Sequence, residues 1–235
     1  MTGQLPLAVA LREEATFANF LVTDAVRGQA VAALCGGLAG GGLVYLWGKA
    51  GAGASHLAQA TCHEARGGHQ WLPLAELGGC DPAALTEGLE ALAVVALDDL
   101  QLAAGDGAWE RALFALHNGL QRRGGLLVVT ADRPPRALPL GLPDLASRLA
   151  AGLVFHLPAY GDEAKRAVLC FRARRRGLEL SEEAADWLLR RHSRHLVDLL
   201  ALLDWLDLEA LRHQRRLTVP FLRALLAQRA AQGKQ

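Results

Sequence analysis

Leu43-Val44-Tyr45-Leu46-Trp47-Gly48-Lys49-Ala50-Gly51-Ala52-Gly53-Ala54-Ser55 runs from an apolar, β-prone segment straight into a glycine-rich loop. A strand that delivers such a loop to the start of a helix is the arrangement of a phosphate-binding P-loop. Glycines let backbone N–H groups approach phosphate oxygens, the helix N-terminus favours an anion, and a hydroxyl supplies a magnesium ligand. Gly48, Gly51, Ala52, Gly53, Ala54, Ser55 and the next residue, His56, are therefore the nucleotide-binding candidates, with Ser55 as the hydroxyl. The lysine that such loops carry just before the hydroxyl is replaced by Ala54. Without that cation on the outer phosphates, affinity and intrinsic hydrolysis are both expected to suffer. Lys49 lies in the loop at a spacing that aims it elsewhere. A glycine-rich turn with no ligand fits the same residues, so a second signal has to decide.

That signal is Val94-Val95-Ala96-Leu97-Asp98-Asp99, an apolar strand ending in two carboxylates. In P-loop ATPases such a pair holds magnesium and polarises a water. Asp98 is the metal candidate and Asp99 the water candidate; in isolation, two acids after a strand also serve as a helix cap or the start of a loop.

Outward from these segments, the spacing predicts strands at Leu43–Trp47, Gln70–Leu74, Ala93–Leu97, Leu126–Thr130 and Val154–Leu157. Helical patterns stand between them at Ser55–Arg66, Pro82–Leu92 and Trp109–Arg122. Short apolar strands alternating with amphipathic helices make an α/β fold with a five-stranded parallel sheet and flanking helices. After Pro158 the strand signals stop and only helices follow, separated by Gly177, Ser193 and Leu217-Thr218-Val219-Pro220, with Ser181, Ser193 and Thr218 in N-cap positions. The organisation expected is a tail at 1–12, a nucleotide-binding α/β domain at 13–158 and a small all-α domain at 159–235.

The 235 residues are 51% hydrophobic, enough for one large core or for a core with a smaller appendage. A formal charge of +1 gives no global field toward nucleic acid. Cys35, Cys62, Cys80 and Cys170 form no CxxC pair, which argues against a zinc site or a disulfide framework and reads as reduced, mostly buried thiols. With no signal-peptide pattern and no bilayer-length apolar run, the protein is expected in the cytoplasm, without a membrane partner.

Three further stretches carry a family resemblance: Asp98-Asp99-Leu100-Gln101, Thr130-Ala131-Asp132-Arg133-Pro134-Pro135 and Gly141-Leu142-Pro143-Asp144-Leu145-Ala146-Ser147-Arg148-Leu149. In this order they resemble the AAA+ core of the bacterial initiator family DnaA, and most of all its shorter regulatory branch, the Hda proteins. The resemblance runs from Gln4 to about Leu226. It implies an AAA+ sheet domain followed by a helical lid. Phe20, Leu21 and Val22, within Thr16–Val22, match the segment beside the adenine base, although Phe17 also suits a hydrophobic staple. Asp132 matches the first sensor near the terminal phosphate; an Asp before Arg133-Pro134 is equally a turn former. Arg148 matches the arginine finger that one subunit presents to a nucleotide held by its neighbour, the plain alternative being a surface pair with Asp144 one helical turn away. Arg194, read as opening a lid helix after Ser193, matches the second sensor, while Arg190, Arg191 and the cluster from Arg172 to Arg176 read as a solvated lid face.

The resemblance further implies bound ADP or ATP with Mg2+, DnaA as partner, and head-to-tail surfaces compatible with self-association. Gln4-Leu5-Pro6-Leu7 resembles the peptide by which proteins dock on the replicative sliding clamp, the polymerase β subunit, which would bring DNA in only indirectly. The flanking helicase-contact and helix-turn-helix domains of a full initiator are not expected, leaving no reading helix for duplex DNA. The function implied is a negative regulator of replication initiation that, with the DNA-loaded clamp, stimulates hydrolysis of DnaA-bound ATP through Arg148. An autonomous AAA+ ATPase or loader, and a module that only sequesters or recruits DnaA, stand as the alternatives.

Overall fold

The computed structural model describes residues 10–77, 79–213 and 217–232. Period-two alternation in β1 (Gly42–Trp47) sends Leu43 and Tyr45 to one face and Val44 and Leu46 to the other, and both faces are buried. The remaining strands are β2 (His69–Pro73), β3 (Val94–Asp98), β4 (Leu126–Ala131) and β5 (Leu153–His156). They form one five-stranded sheet in the order β2-β3-β4-β1-β5, with every pairing parallel. Strands covered on both faces read as unbroken apolar runs, which is why β3 and β4 stand out in the sequence.

Helices α1 (Ala25–Gly40) and α2 (Ala54–Glu64) cover one face through Leu34, Leu57, Ala58 and Cys62. The other face is covered by α3 (Pro82–Thr86), α4 (Gly107–Arg123) and α5 (Pro143–Ala151), through Leu85, Leu113, Leu116, Leu145 and Leu149. Because all five strands run the same way, the loop after β1, Asp98 at the end of β3 and the segment after β4 emerge on one edge, where ligands of open α/β sheets bind.

Three readings of this part need correction. The pattern over Pro82–Leu92 is not one helix: α3 stops at Thr86, Gly88 turns left-handed at φ 78, and a separate 3-10 turn spans Leu89–Ala91. Helix α1 was not expected, because Gly28, Gly36, Gly37 and Gly40 lower its propensity and apolar residues surround it without a clear stripe. The thiols are not mostly buried, since Cys35 and Cys80 are exposed, Cys170 is intermediate and only Cys62 is buried.

The chain divides between Pro158 and Ala159 into two compact units. The second contains α6 (Asp162–Arg175), α7 (Glu182–Arg191), α8 (Leu196–His213) and α9 (Val219–Gln232) around Leu169, Leu188, Leu199, Leu206 and Leu222. Ser181 caps α7 by accepting from Ala184 N at 3.2 Å, a contact of the kind worth about 1 kcal/mol. Ser193 accepts from His195 N at 3.0 Å and its hydroxyl donates to Asp198 at 2.8 Å, and α8 starts only at Leu196. Arg194 therefore precedes the helix instead of opening it. The arginine cluster is not wholly solvated either: Arg172 is buried, and Arg176 pairs with Asp204. No helix of the described residues is long and apolar enough to cross a membrane. Gln4, Leu5, Pro6 and Leu7 lie outside the described residues.

Candidate nucleotide site and arginine surface

Gly51 and Gly53 take positive φ, 81° and 101°, which side-chain-bearing residues rarely adopt. At Gly48 a Cβ would come within 2.4 Å of the Leu157 carbonyl oxygen, so the loop leaves β1 against the end of β5 with no room for a side chain. Ala52 N donates to the Lys49 carbonyl at 3.0 Å and closes the turn. Gly53 then N-caps α2 without any side-chain cap, so the first-turn amides face outward with no residue of their own helix to satisfy them. Such an arrangement can cradle a phosphate. Lys49 is exposed beside it.

The segment matched to the adenine contact packs against the start of α2. The rings of Phe20 and His56 lie 5.5 Å apart, and His56 Nε2 is 2.9 Å from the Thr16 carbonyl oxygen. Phe20 and His56 are thus brought to the loop together. Leu21 is half-buried, and Val22, 48% exposed, stands beside Gly28 of α1.

Asp98 is buried at the end of β3, and the Thr130 hydroxyl donates to its carboxylate. Burial pushes the Asp98 carboxyl above the ordinary range, while the Thr130 and Ser55 hydroxyls pull it back and the Asp99 charge adds to the rise. Ser55 of the loop and Asp98 of β3 therefore face one another across the sheet edge. The buried Trp71 indole N–H has no partner at hydrogen-bond distance and acts on the same carboxylate from further away. A magnesium ion fits this donor set, because it takes one or two protein oxygens and completes its shell with phosphate and water. Asp98 and Ser55 would hold the metal, and the loop amides the phosphates.

Asp99 adopts φ 63, the one non-glycine positive φ among the described residues, at a cost of about 1–2 kcal/mol. Its N–H donates to Thr130 Oγ1 at 3.0 Å, and its carboxylate accepts from Gln101 Nε2 at 2.9 Å. The same Gln101 amide accepts from Asp132 N at 3.2 Å, linking the tips of β3 and β4. Arg133 grips the Asp132 carboxylate with two hydrogen bonds of 2.7 Å, which hold that carboxyl below its usual range. Thr130, Gln101 and Trp71 were missed as site residues; a lone hydroxyl at the end of the apolar strand Leu126–Thr130 was the available signal for the first.

Arg148 lies elsewhere. It lines a small pocket with Gly42, Leu43, His117, Gln121 and Leu127, at the N-terminal ends of β1 and β4. The Gly48–Ser55 loop leaves the opposite end of β1, about 17 Å away by the rise of a strand. The half-buried guanidinium sits 5.0 Å from the Phe114 ring centroid and donates to Gln121 Oε1 at 3.4 Å. The pair with Asp144 is not formed, and no carboxylate of the described residues bridges to Arg148. Burial, and then the Arg148 charge, push the His117 imidazole down from its ordinary value. Arg194, in the second unit, is exposed.

The fold has solved counterparts. Domain III of the Thermotoga maritima replication initiation protein DnaA superposes with a TM-score of 0.73 at 21% identity, covering 90% of this chain and 95% of that one. AMPPCP-bound DnaA from Aquifex aeolicus gives 0.67 at 21% identity, over 87% and 70% of the two chains. The Thermotoga maritima RuvB Holliday junction branch migration motor gives 0.64 at 18%, over 88% and 69%. At these identities the likeness is one of fold. Residues 162–226 match the family model for the Hda lid domain. The chain thus has the fold of the DnaA neighbours, and its helical unit matches the Hda lid family. The Hda match lies wholly within the helical unit, from the first residue of α6 into α9.

Proposed function

We propose that this chain is a DnaA-related replication regulator that switches the initiator off. It carries an adenine nucleotide, ADP by the family's expectation, on the Gly48–Ser55 loop, with Mg2+ at Ser55 and Asp98. Phe20, Leu21, Val22 and His56 lie along the base side, and Asp132 and Arg194 act as sensors. Gln4-Leu5-Pro6-Leu7 docks on the sliding clamp β subunit, which meets DNA. Arg148 enters the ATP site of DnaA and stabilises charge developing during hydrolysis there, an effect worth about 10³ to 10⁵ in rate. Its own turnover, with Ala54 in the loop, is weak or absent.

One observation carries this reading: Arg148 stands at the end of the sheet opposite the chain's own phosphate loop, half-exposed and unpaired with any carboxylate of the described residues. A cation so placed serves a phosphate on another molecule. Steady-state ATP loss by purified DnaA with DNA-loaded clamp is expected to rise on adding this protein and to return to baseline with Arg148→Ala. An unchanged rate with that variant refutes the mechanism. The intact pair of Asp98 and the left-handed Asp99 supports a second reading, an autonomous ATPase. Turnover by the isolated protein that disappears in Asp99→Asn would favour it.

A further inference from the structure

Arg27 is 1% exposed, on the first turn of α1, and its guanidinium is shared between backbone and a carboxylate. One amine group donates to the Ala52 carbonyl at 3.2 Å and also to the Pro158 carbonyl, while the other pairs with Asp24, which caps the same helix through Arg27 N at 3.0 Å. A buried cation is costly unless several partners hold it, and here they include the middle of the nucleotide loop and the last residue of the first unit.

The peptide plane between Ala52 and Gly53 gives this contact a consequence. A trans peptide is planar, and its C=O and N–H point in opposite directions. No described peptide is cis. With the Ala52 oxygen drawn inward to Arg27, the Gly53 N–H is turned outward, toward the mouth of the loop. A loop with lysine at its seventh position has a cation in front to organise phosphate and backbone together. This loop has Ala54 there and a guanidinium behind.

We propose that Arg27 is a positioning residue for nucleotide binding: by fixing the Ala52 carbonyl from inside the fold it aims the Gly53 amide at the phosphates, a loop-ordering role that falls to it because position 54 carries no cation. The proposal rests on the reading that the loop takes an adenine nucleotide.

Fluorescent mant-ADP titrations of the full chain, with and without Mg2+, test it. Arg27→Met keeps the length of the buried stem and leaves Asp24 as a cap. Its dissociation constant is expected to rise about tenfold or more, equivalent to about 1.4 kcal/mol. The readout that a merely structural role would not move is the increment in melting temperature produced by ADP. General destabilisation lowers the free and ADP-bound midpoints alike, whereas loss of loop order shrinks the difference between them. Arg27→Lys, which keeps the charge but only one donor nitrogen, is expected to fall between wild type and Arg27→Met, and it serves where the methionine variant does not fold. Wild-type affinity and an undiminished ADP increment in a folded Arg27 variant overturn the proposal alone. Absence of saturable mant-ADP binding by the wild type overturns the nucleotide reading beneath it.

Discussion

Thr130 donates its hydroxyl hydrogen to Asp98 and accepts the N–H of Asp99, so one side chain on β4 sets the position of both acids at the end of β3. Strand pairing makes this possible: Leu97 lies opposite Val129, which brings the next residue of each strand side by side. The hydroxyl compensates only partly for taking the Asp98 carboxylate out of water.

The imbalance predicts a trade of stability for function at Asp98. Its folded pKa lies above the unfolded value, so the native state holds the proton more readily, and stability falls as pH rises from the unfolded carboxylate range, about 3.9, through the folded value. Above the unfolded range the buried carboxyl therefore costs stability. Asp98→Asn is expected to raise the melting temperature of the ligand-free protein, by about 2–4 °C per kcal/mol recovered, and to remove the Mg2+ dependence of ADP binding. Scanning fluorimetry with and without Mg2+ and ADP reads both. A lower midpoint at neutral pH would show that the carboxylate is better compensated than its burial implies.

Ala54→Lys restores the missing cation at the start of α2, where the proposed nucleotide site places the phosphates. Charge-assisted contacts to phosphate are about twice as strong as neutral ones. Affinity for mant-ATP is expected to tighten about tenfold, and slow ATP turnover to appear in the isolated protein. Unchanged affinity would mean that the loop does not present a phosphate to position 54.

What the sequence disclosed and what it hid divide along physical lines. Doubly covered strands are apolar throughout, so β3 and β4 were legible, and the glycine spacing after β1 marked the loop whose positive φ values need Gly51 and Gly53. Helix α1 was hidden because its glycines and small residues blur the 3.6-residue period. Long-range polar contacts were hidden for a different reason: Arg27 reaches Ala52 and Pro158, Glu110 accepts from Gly141 N and Leu142 N, and Gln101 joins Asp99 to Asp132, pairings that no local spacing encodes. Arg148 was legible as a residue, but its distance from the chain's own loop followed only from the sheet.

The cysteines differ enough to be told apart by alkylation. Burial pushes the Cys62 thiol up to about 12, whereas Cys35 and Cys80 are exposed. Since the thiolate is the nucleophile, Cys62 carries roughly a thousandfold less of the reactive form than an ordinary thiol at neutral pH, before steric exclusion is counted. Iodoacetamide labelling followed by peptide mass analysis should modify Cys35 and Cys80 first, and Cys62 only under denaturing conditions. Equal rates for Cys62 and Cys80 would contradict the packing of α2 on the sheet.

Arg148→Lys separates charge from geometry at the proposed finger. The guanidinium is planar, lies over the Phe114 ring and offers a fork of donors, whereas an ammonium is a strongly hydrated point charge. If Arg148 only attracted DnaA electrostatically, lysine would substitute. A role at developing phosphate charge requires the fork, so Arg148→Lys is expected to leave association with ATP-bound DnaA on loaded clamp within about threefold while single-turnover hydrolysis falls about a hundredfold or more, part of the full effect of such a finger. Surface plasmon resonance and quenched-flow hydrolysis on the same preparations give the two numbers. Parallel loss of binding and hydrolysis would make Arg148 a docking contact, and the proposed mechanism would then lack its transition-state component.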